Sequence, residues 1–316
     1  METVRRAVID VGTNSIKLLV ADVLGREVRP VHEESRQTRL GRGFYASRRL
    51  QPETIAHTAA VVWEFAQIAR ERNADSIRVI ATSAARDAVN PGDLTTAIER
   101  ASDLKVQIIS GEQEAEWAFQ GVTTDTELAK QPLLLLDVGG GSTEFILGQG
   151  AHKHFAQSFP LGTVRLLEKF PHSDPPTRGG FTACRDWVKN FLQNEVRPKL
   201  EPAMRRETKP GSETGGIQLV GTGGTTSILA RMEKKLDRFD REQIESTVLS
   251  REQITARRRH LWRLPLAKRK KVVGLPRLRA DVILTGVVIY EVVMEKFGFP
   301  QLRVSTRGLR FAAVMD

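Results

Sequence analysis

The sequence contains a single cysteine, Cys184, so an internal disulfide cannot form and a reducing compartment fits. Asn190 stands where a Cys-x5-Arg phosphatase loop needs its arginine, and Cys184 reads as a small buried hydrophobe instead. Long hydrophobic runs are missing as well. Val8 and Ile9 lead straight into Asp10, which leaves no apolar segment for a signal peptide. The most apolar stretch, Val282 to Val293, is short for a membrane span and carries Glu291. The expectation is a cytoplasmic chain with no membrane association. No Walker lysine, DxDxT motif or Ser-His-Asp order stands out, so a covalent intermediate has no obvious nucleophile. Zinc-finger spacing and RNP-type aromatics are also missing, which argues against a dedicated nucleic-acid module. His152 and His154 share a strand face but have no neighbouring partner ligands for a metal.

What the chain does have is length for two domains and an excess of positive charge. Its 316 residues carry 48 Lys and Arg against 38 Asp and Glu, a net charge of +10. Such a balance concentrates polyanions near the surface without choosing among nucleic acid, anionic membrane and polyphosphate.

The central feature is Leu133 to Gly148, LLLLDVGGGSTEFILG. A buried strand runs into Asp137, the glycines 139–141 follow, then Ser142, Thr143, Glu144 and a second apolar run. Glycines let backbone N–H groups approach a ligand closely, and the hydroxyls add donors to a concave anion site. Asp137 and Glu144 would repel a bare phosphate, but suit a hard cation such as Mg²⁺ held between them and phosphate oxygens. Three glycines alone fit an ordinary hairpin turn equally well. The pattern recurs, however, in Ala7 to Val23, where a strand ends at Asp10 and Gly12, Thr13, Asn14 and Ser15 form the turn. The two aspartates lie 127 positions apart (137 minus 10). A third strand, within Gln218 to Ala230, leads into a turn of Gly223, Gly224 and Thr225. Paired hairpins of this kind resemble the phosphate loops of the actin and sugar-kinase superfamily.

Taken in order, residues 7–34 read as two or three strands and Thr38 to Phe44 as a glycine-broken basic loop. Pro52 opens a helix whose Ile55, Ala59, Val62, Ala66 and Ala69 form one buried face, with Trp63 and Phe65 in core or interdomain packing. Arg86 follows the strand Ile77 to Ala81 by about one helical turn, where a guanidinium could fork onto phosphate. In SGEQEAEW, Ser110 and Gln113 start a capping box. Glu112, Glu114 and Glu116 are either plain first-turn charges or include one that orients a water, and spacing does not say which. Phe181, Val188, Leu192 and Val196 mark a helix face, and Pro202 to Gly216 reads as an exposed connection. The surplus charge gathers in Arg251 to Lys271, a basic amphipathic helix and loop that is either a solvated face or a polyanion-docking surface. A long apolar helix (Asp281 to Phe297), a strand, a turn at Gly308 and a short helix close the chain.

Together the segments IDVGTNSIKLLV, ATSAARDAVN, IISGEQEAEWAFQGV, LLDVGGGSTEF, LGTVRL, GTGGTTS, GLPRLRADVILTG and STRGLR resemble the Ppx/GppA phosphatase family, in family order across almost the whole chain. The resemblance implies an α/β fold of two actin-like (ribonuclease H-like) domains facing each other across a cleft. The first would cover residues 1–124, with the C-terminal helix 307–316 as its candidate completion, and the second 125–306. It implies metal-dependent release of terminal phosphate from inorganic polyphosphate by direct attack of an activated water.

Carried over by motif, Thr13, Asn14, Ser15, Gly139, Gly140, Gly141 and Ser142 would bind phosphate, together with Gly223, Gly224 and Thr225. Glu114 would be the base, Arg86 would clamp phosphate beside the nucleophile, and Asp137 and Glu144 would hold Mg²⁺, with Asp10 a further candidate. Another divalent cation could serve for Mg²⁺, a monovalent cation could join it, and a homodimer is the expected assembly. Gln113 stands where an acid is common in the family, and Thr306, Phe311 and Ala312 depart from the usual ending. Three rival readings remain. They are hydrolysis of guanosine pentaphosphate, with guanosine penta- or tetraphosphate as ligand; a non-catalytic alarmone or polyphosphate sensor; and an actin-like kinase.

Overall fold

Eleven strands form two sheets in a computed structural model that describes residues 2–207 and 216–316. The first sheet contains β1 (Val4–Val11), β2 (Ile16–Leu24), β3 (Glu27–Arg36), β4 (Ser76–Ala81) and β5 (Val106–Ile108), in the order β3-β2-β1-β4-β5. The second contains β6 (Leu133–Val138), β7 (Thr143–Gln149), β8 (His152–Phe159), β9 (Gln218–Thr222), β10 (Val248–Ser250) and β11 (Gln301–Val304). Its order is β10-β11-β9-β6-β7-β8. When β6 is counted as the first strand, the second sheet repeats the order of the first, with β10 added at the edge. Both sheets therefore have the ribonuclease H-like arrangement of an actin-type domain, built from an antiparallel meander followed by parallel strands.

The chain divides into two units. One comprises the residues up to Thr124 together with Gly139–Gly141 and Arg307–Asp316, and the other Asp125–Val138 and Ser142–Thr306. In the first unit, alternate residues of the strands feed opposite faces of the sheet. Ala7, Ile9, Val11, Leu18 and Val79 pack with Ile55, Val62, Phe65, Leu94 and Ile98 from the helices Pro52–Glu71 and Pro91–Ser102. Val8, Leu19, Ala21 and Ile80 on the other face pack with Trp117 and with Leu309, Phe311 and Val314 of the C-terminal segment. In the second unit a single core joins Leu134, Leu136, Phe145 and Leu147 to the helices Arg178–Phe191, Arg251–Arg263 and Ile283–Lys296.

Several local expectations change. Trp63, expected in packing, is 47% exposed, whereas Phe65 two positions on is fully buried. The connection expected from Pro202 to Gly216 begins as helix, since Pro202 lies within Arg197–Glu207, and its residues 208–215 lie outside those described. That helix follows a π-helical turn, Leu192–Val196, and buries Leu200, Ala203 and Met204, so apolar packing overrides the proline. GTGGTTS is not a closed turn, because β9 passes directly into a helix, Gly223–Lys234. No described helix is long and apolar enough to cross a membrane.

Gly121 is the point where the helix Gly111–Val122 meets the chain just before the last helix, Leu309–Ala313. A methyl group there would overlap the main chain of Gly308, which backbone shifts alone could relieve. Gly121→Ala is therefore expected to destabilise the protein by about 1–3 kcal/mol, the range for overpacking a filled site. An unchanged denaturant midpoint would contradict that close approach.

Candidate functional site

The first unit assembles one set of candidates. Asp10 lies in the buried run of β1, one residue before its end, and is directly opposed to Lys17 of β2, whose Nζ is 4.0 Å from its Oδ2. Burial pushes the Asp10 carboxyl above its ordinary range, while the charges of Lys17 and Arg310 pull it back. The turn that follows is tight, with the Gly12 N–H donating to the Ser15 carbonyl at 3.1 Å. The basic loop 38–44 supports it from outside: Gly41 donates to the Thr13 carbonyl at 2.7 Å and Arg39 to the Asn14 carbonyl at 3.1 Å. Thr13, Asn14 and Ser15 are all buried, and Asn14 Nδ2 has no hydrogen-bond acceptor among the described residues.

Gly140 and Gly141 lie against this turn. A Cβ on Gly140 would come within 2.9 Å of Thr13 Cβ, and one on Gly141 within 2.7 Å of the Tyr45 hydroxyl and 2.9 Å of Thr13 Oγ1. It would also overlap the Ser83 hydroxyl, which is buried and without a hydrogen-bond partner among the described residues. Buried donors usually find acceptors, so an unmet hydroxyl and amide beside closely packed glycines suit an anionic oxygen ligand.

The three glutamates are told apart by their surroundings. Ser110 caps the helix by accepting from the Gln113 N–H at 3.1 Å. From that start Glu112 points to solvent, and half-buried Glu116 accepts from Gln120 Nε2 at 2.6 Å. Glu114 is buried, and its Oε2 accepts from Arg86 Nη1 at 2.9 Å. The same nitrogen donates to the Ile109 carbonyl at 3.2 Å, so Arg86 ties the strand end to the helix start and fixes the Glu114 carboxylate.

The second unit holds the other candidates. Asp137 of β6 and Glu144 of β7 are directly opposed across the antiparallel ladder. Glu144 is 1% exposed, and its Oε1 accepts from Ser158 Oγ at 2.7 Å. Ser142 is buried beside them in the sequence. Gly223 has a φ of +88°, and a Cβ there would overlap Asp137 Oδ1, so both conformation and space require glycine. Gly223, Gly224 and Thr225 make the first turn of their helix, whose leading N–H groups have no intrahelical partners.

Opposed like charges repel across a sheet, and a divalent cation would relieve the repulsion between Asp137 and Glu144. No group of three or more His, Cys, Asp and Glu residues is poised to hold a metal among the described residues. Mg²⁺ is ordinarily held by one or two carboxylates with substrate phosphate and water completing the shell, so this pair fits it. Asp10 differs, because the position equivalent to Glu144 is Lys17.

Ser83, Tyr45, Lys17 and Ser158 were not singled out in the sequence. Ser83 sits three residues before Arg86 in the same motif, which offered a signal. Tyr45 lies in the one-turn helix Phe44–Ser47 just after the basic loop, where the sequence offered none. His154 pairs instead with Glu207, at 3.4 Å from Nδ1 to Oε1. Cys184 is fully buried, and burial pushes its thiol up to about 12.

The model of the Ppx/GppA phosphatase family matches residues 19–315. Exopolyphosphatase 2 of Mycobacterium tuberculosis is 35% identical, with 98% of this chain and 97% of that protein covered. A guanosine-5'-triphosphate,3'-diphosphate pyrophosphatase of Photobacterium profundum is 28% identical and covered over 58% of its length by 98% of this chain. Among solved structures, an exopolyphosphatase from Cytophaga hutchinsonii superposes with a TM-score of 0.85 at 27% identity, covering 98% of this chain and 96% of that one. The chain thus belongs to the Ppx/GppA phosphatase family.

Proposed function

We propose that this phosphatase is an exopolyphosphatase, removing the terminal phosphate of inorganic polyphosphate by direct attack of water. The observation that carries the reading is the buried Glu114 held by Arg86 in the unit that also contains the Thr13–Ser15 turn and the glycines 139–141. The likeness to exopolyphosphatase 2 extends over nearly all of both chains, whereas the guanosine-type relative is matched over only 58% of its length, which favours polyphosphate.

In this reading Glu114 takes the proton of the attacking water as its oxygen bonds to the terminal phosphorus. The bridging P–O bond breaks, and the shortened polymer leaves with the electron pair. Arg86 keeps the Glu114 carboxylate in place and offers its remaining donors to phosphate oxygens. Thr13, Asn14, Ser15, Gly139, Gly140, Gly141 and Ser142 supply N–H and hydroxyl donors, as do Gly223, Gly224 and Thr225 at their helix start. Ser83 joins the donor set. Asp137 and Glu144 would hold Mg²⁺, which would supply positive charge to phosphate oxygens.

The assay that tests the function offers the protein, with Mg²⁺, long-chain polyphosphate, guanosine pentaphosphate, and ATP with sugars, and follows free phosphate. Release chiefly from polyphosphate is expected. Preference for the nucleotide, sugar-dependent ATP use or binding without turnover would each replace the reading.

Glu114→Gln is expected to lower kcat by about 10²–10⁴-fold while leaving polyphosphate binding near normal, because a positioned base contributes that much. Near-normal phosphate release by the variant would sink the assignment. Chelation by EDTA should stop release, and Asp137→Asn or Glu144→Gln should raise the Mg²⁺ needed for half-maximal rate. An unchanged metal requirement in both variants would remove these residues from the metal site.

Asp10 gives a stability prediction of definite sign. Its carboxyl is raised in the folded chain, so its contribution to stability is full below the usual carboxylate range and lost as pH rises through the raised value. Asp10→Asn, which cannot ionise, should therefore leave Tm unchanged or higher at neutral pH. A marked drop in Tm would show that the charge contributes more through Lys17 and Arg310 than burial takes away.

A further inference from the structure

Among the described residues, the basic segment 251–271 divides into cations with internal partners and cations without. Arg258 forks onto Glu291 with bonds of 2.9 and 2.8 Å, and Arg257 reaches Glu233 at 3.0 Å. Buried Arg269 donates to the carbonyls of Ala280 and Leu264 at 2.9 and 2.7 Å. These three are structural.

Lys270, Lys271 and Arg277 are exposed and make no ion pair among the described residues. They converge with Arg231 on a cavity of about 400 Å³, whose lining includes one acid, Asp237, against four cations. Arg231 uses Nη2 on the Asp237 main-chain carbonyl at 2.7 Å, while its Nε is buried with no hydrogen-bond partner among the described residues. The pocket wall is held in place by Gly274, at φ +83°, where a Cβ would come within 2.5 Å of the Arg231 carbonyl carbon. The segment 270–277 is thus pressed against the helix Gly223–Lys234, and the cations are gathered before any ligand arrives. Like charges crowd a concave wall only at an energetic penalty, which an anion reverses.

We propose that Arg231, Lys270, Lys271 and Arg277 form a second anion site that binds a phosphate-bearing ligand. Arg231 lies eight residues beyond Gly223, about 12 Å along the helix, so the pocket is separate from the Asp137 carboxylate that Gly223 adjoins. Its occupant is either the distal part of a polyphosphate chain or a small free phosphoanion, and the same four side chains recognise both.

Inorganic pyrophosphate titrated into the full chain in EDTA provides the test, with Lys270→Gln/Lys271→Gln and Arg231→Gln as variants. In each variant one binding step should weaken by at least about tenfold, with a shallower dependence of log K on log salt. Because the two lysines are exposed, the double variant should melt like the parent, which separates lost binding from lost fold. A parent-like isotherm in the double variant would overturn the proposal. KM for long-chain polyphosphate and for tripolyphosphate then separates the sources. A rise for long chains alone identifies the polymer, and no rise for either, with pyrophosphate binding lost, identifies a small anion. The binding arm decides whether the site exists even where polyphosphate proves not to be the substrate.

Discussion

Thr13 has room for no extra methyl group around it. Side chains on Gly41, Gly140 or Gly141 would all run into it, and one on Gly141 would meet Ser83 and Tyr45 as well. That steric constraint brings several stretches of main chain within reach of one another. The Thr13 and Ser83 hydroxyls, the buried Asn14 amide and the Arg86–Glu114 pair all belong to one unit. Any β-carbon would exchange a polar concavity for an ordinary filled turn.

The two hairpins share a backbone plan and differ in charge. Each has an aspartate opposite the seventh residue after it, Lys17 in one and Glu144 in the other. A lysine beside a buried carboxylate offsets its charge locally, whereas a second carboxylate doubles it and would suit a cation. Duplication of a fold is thus compatible with unequal chemistry, because a single side chain across the strand pair decides the sign of the site.

Much of this was legible in the sequence. Apolar runs ending in aspartate and glycine mark β1 and β6, since burial and close approach leave few other residues possible. The 4-3-4-3 spacing from Ile55 to Ala69 gives the buried helix face directly. Glu114 could not be separated from Glu112 and Glu116, because its burial and its bond to Arg86 depend on tertiary contacts, the latter spanning 28 residues. The basic segment was ambiguous for the same reason, as nothing local says that Arg258 meets Glu291 while Lys270 meets no acid among the described residues. Pro202 and Trp63 misled in opposite directions, one a helix breaker inside a helix and the other a large aromatic left in solvent.

The last ten residues cover one face of a sheet whose strands occupy the beginning of the chain. Leu309, Phe311 and Val314 rest on Val8, Leu19 and Ile80, and Arg6 donates to the Met315 carbonyl at 2.8 Å. During synthesis that face has to wait, uncovered, until the ribosome has made all the intervening residues. The strands β1, β2 and β4 are therefore made well before the segment that seals them, and their greasy face stays open to other apolar surfaces in the meantime.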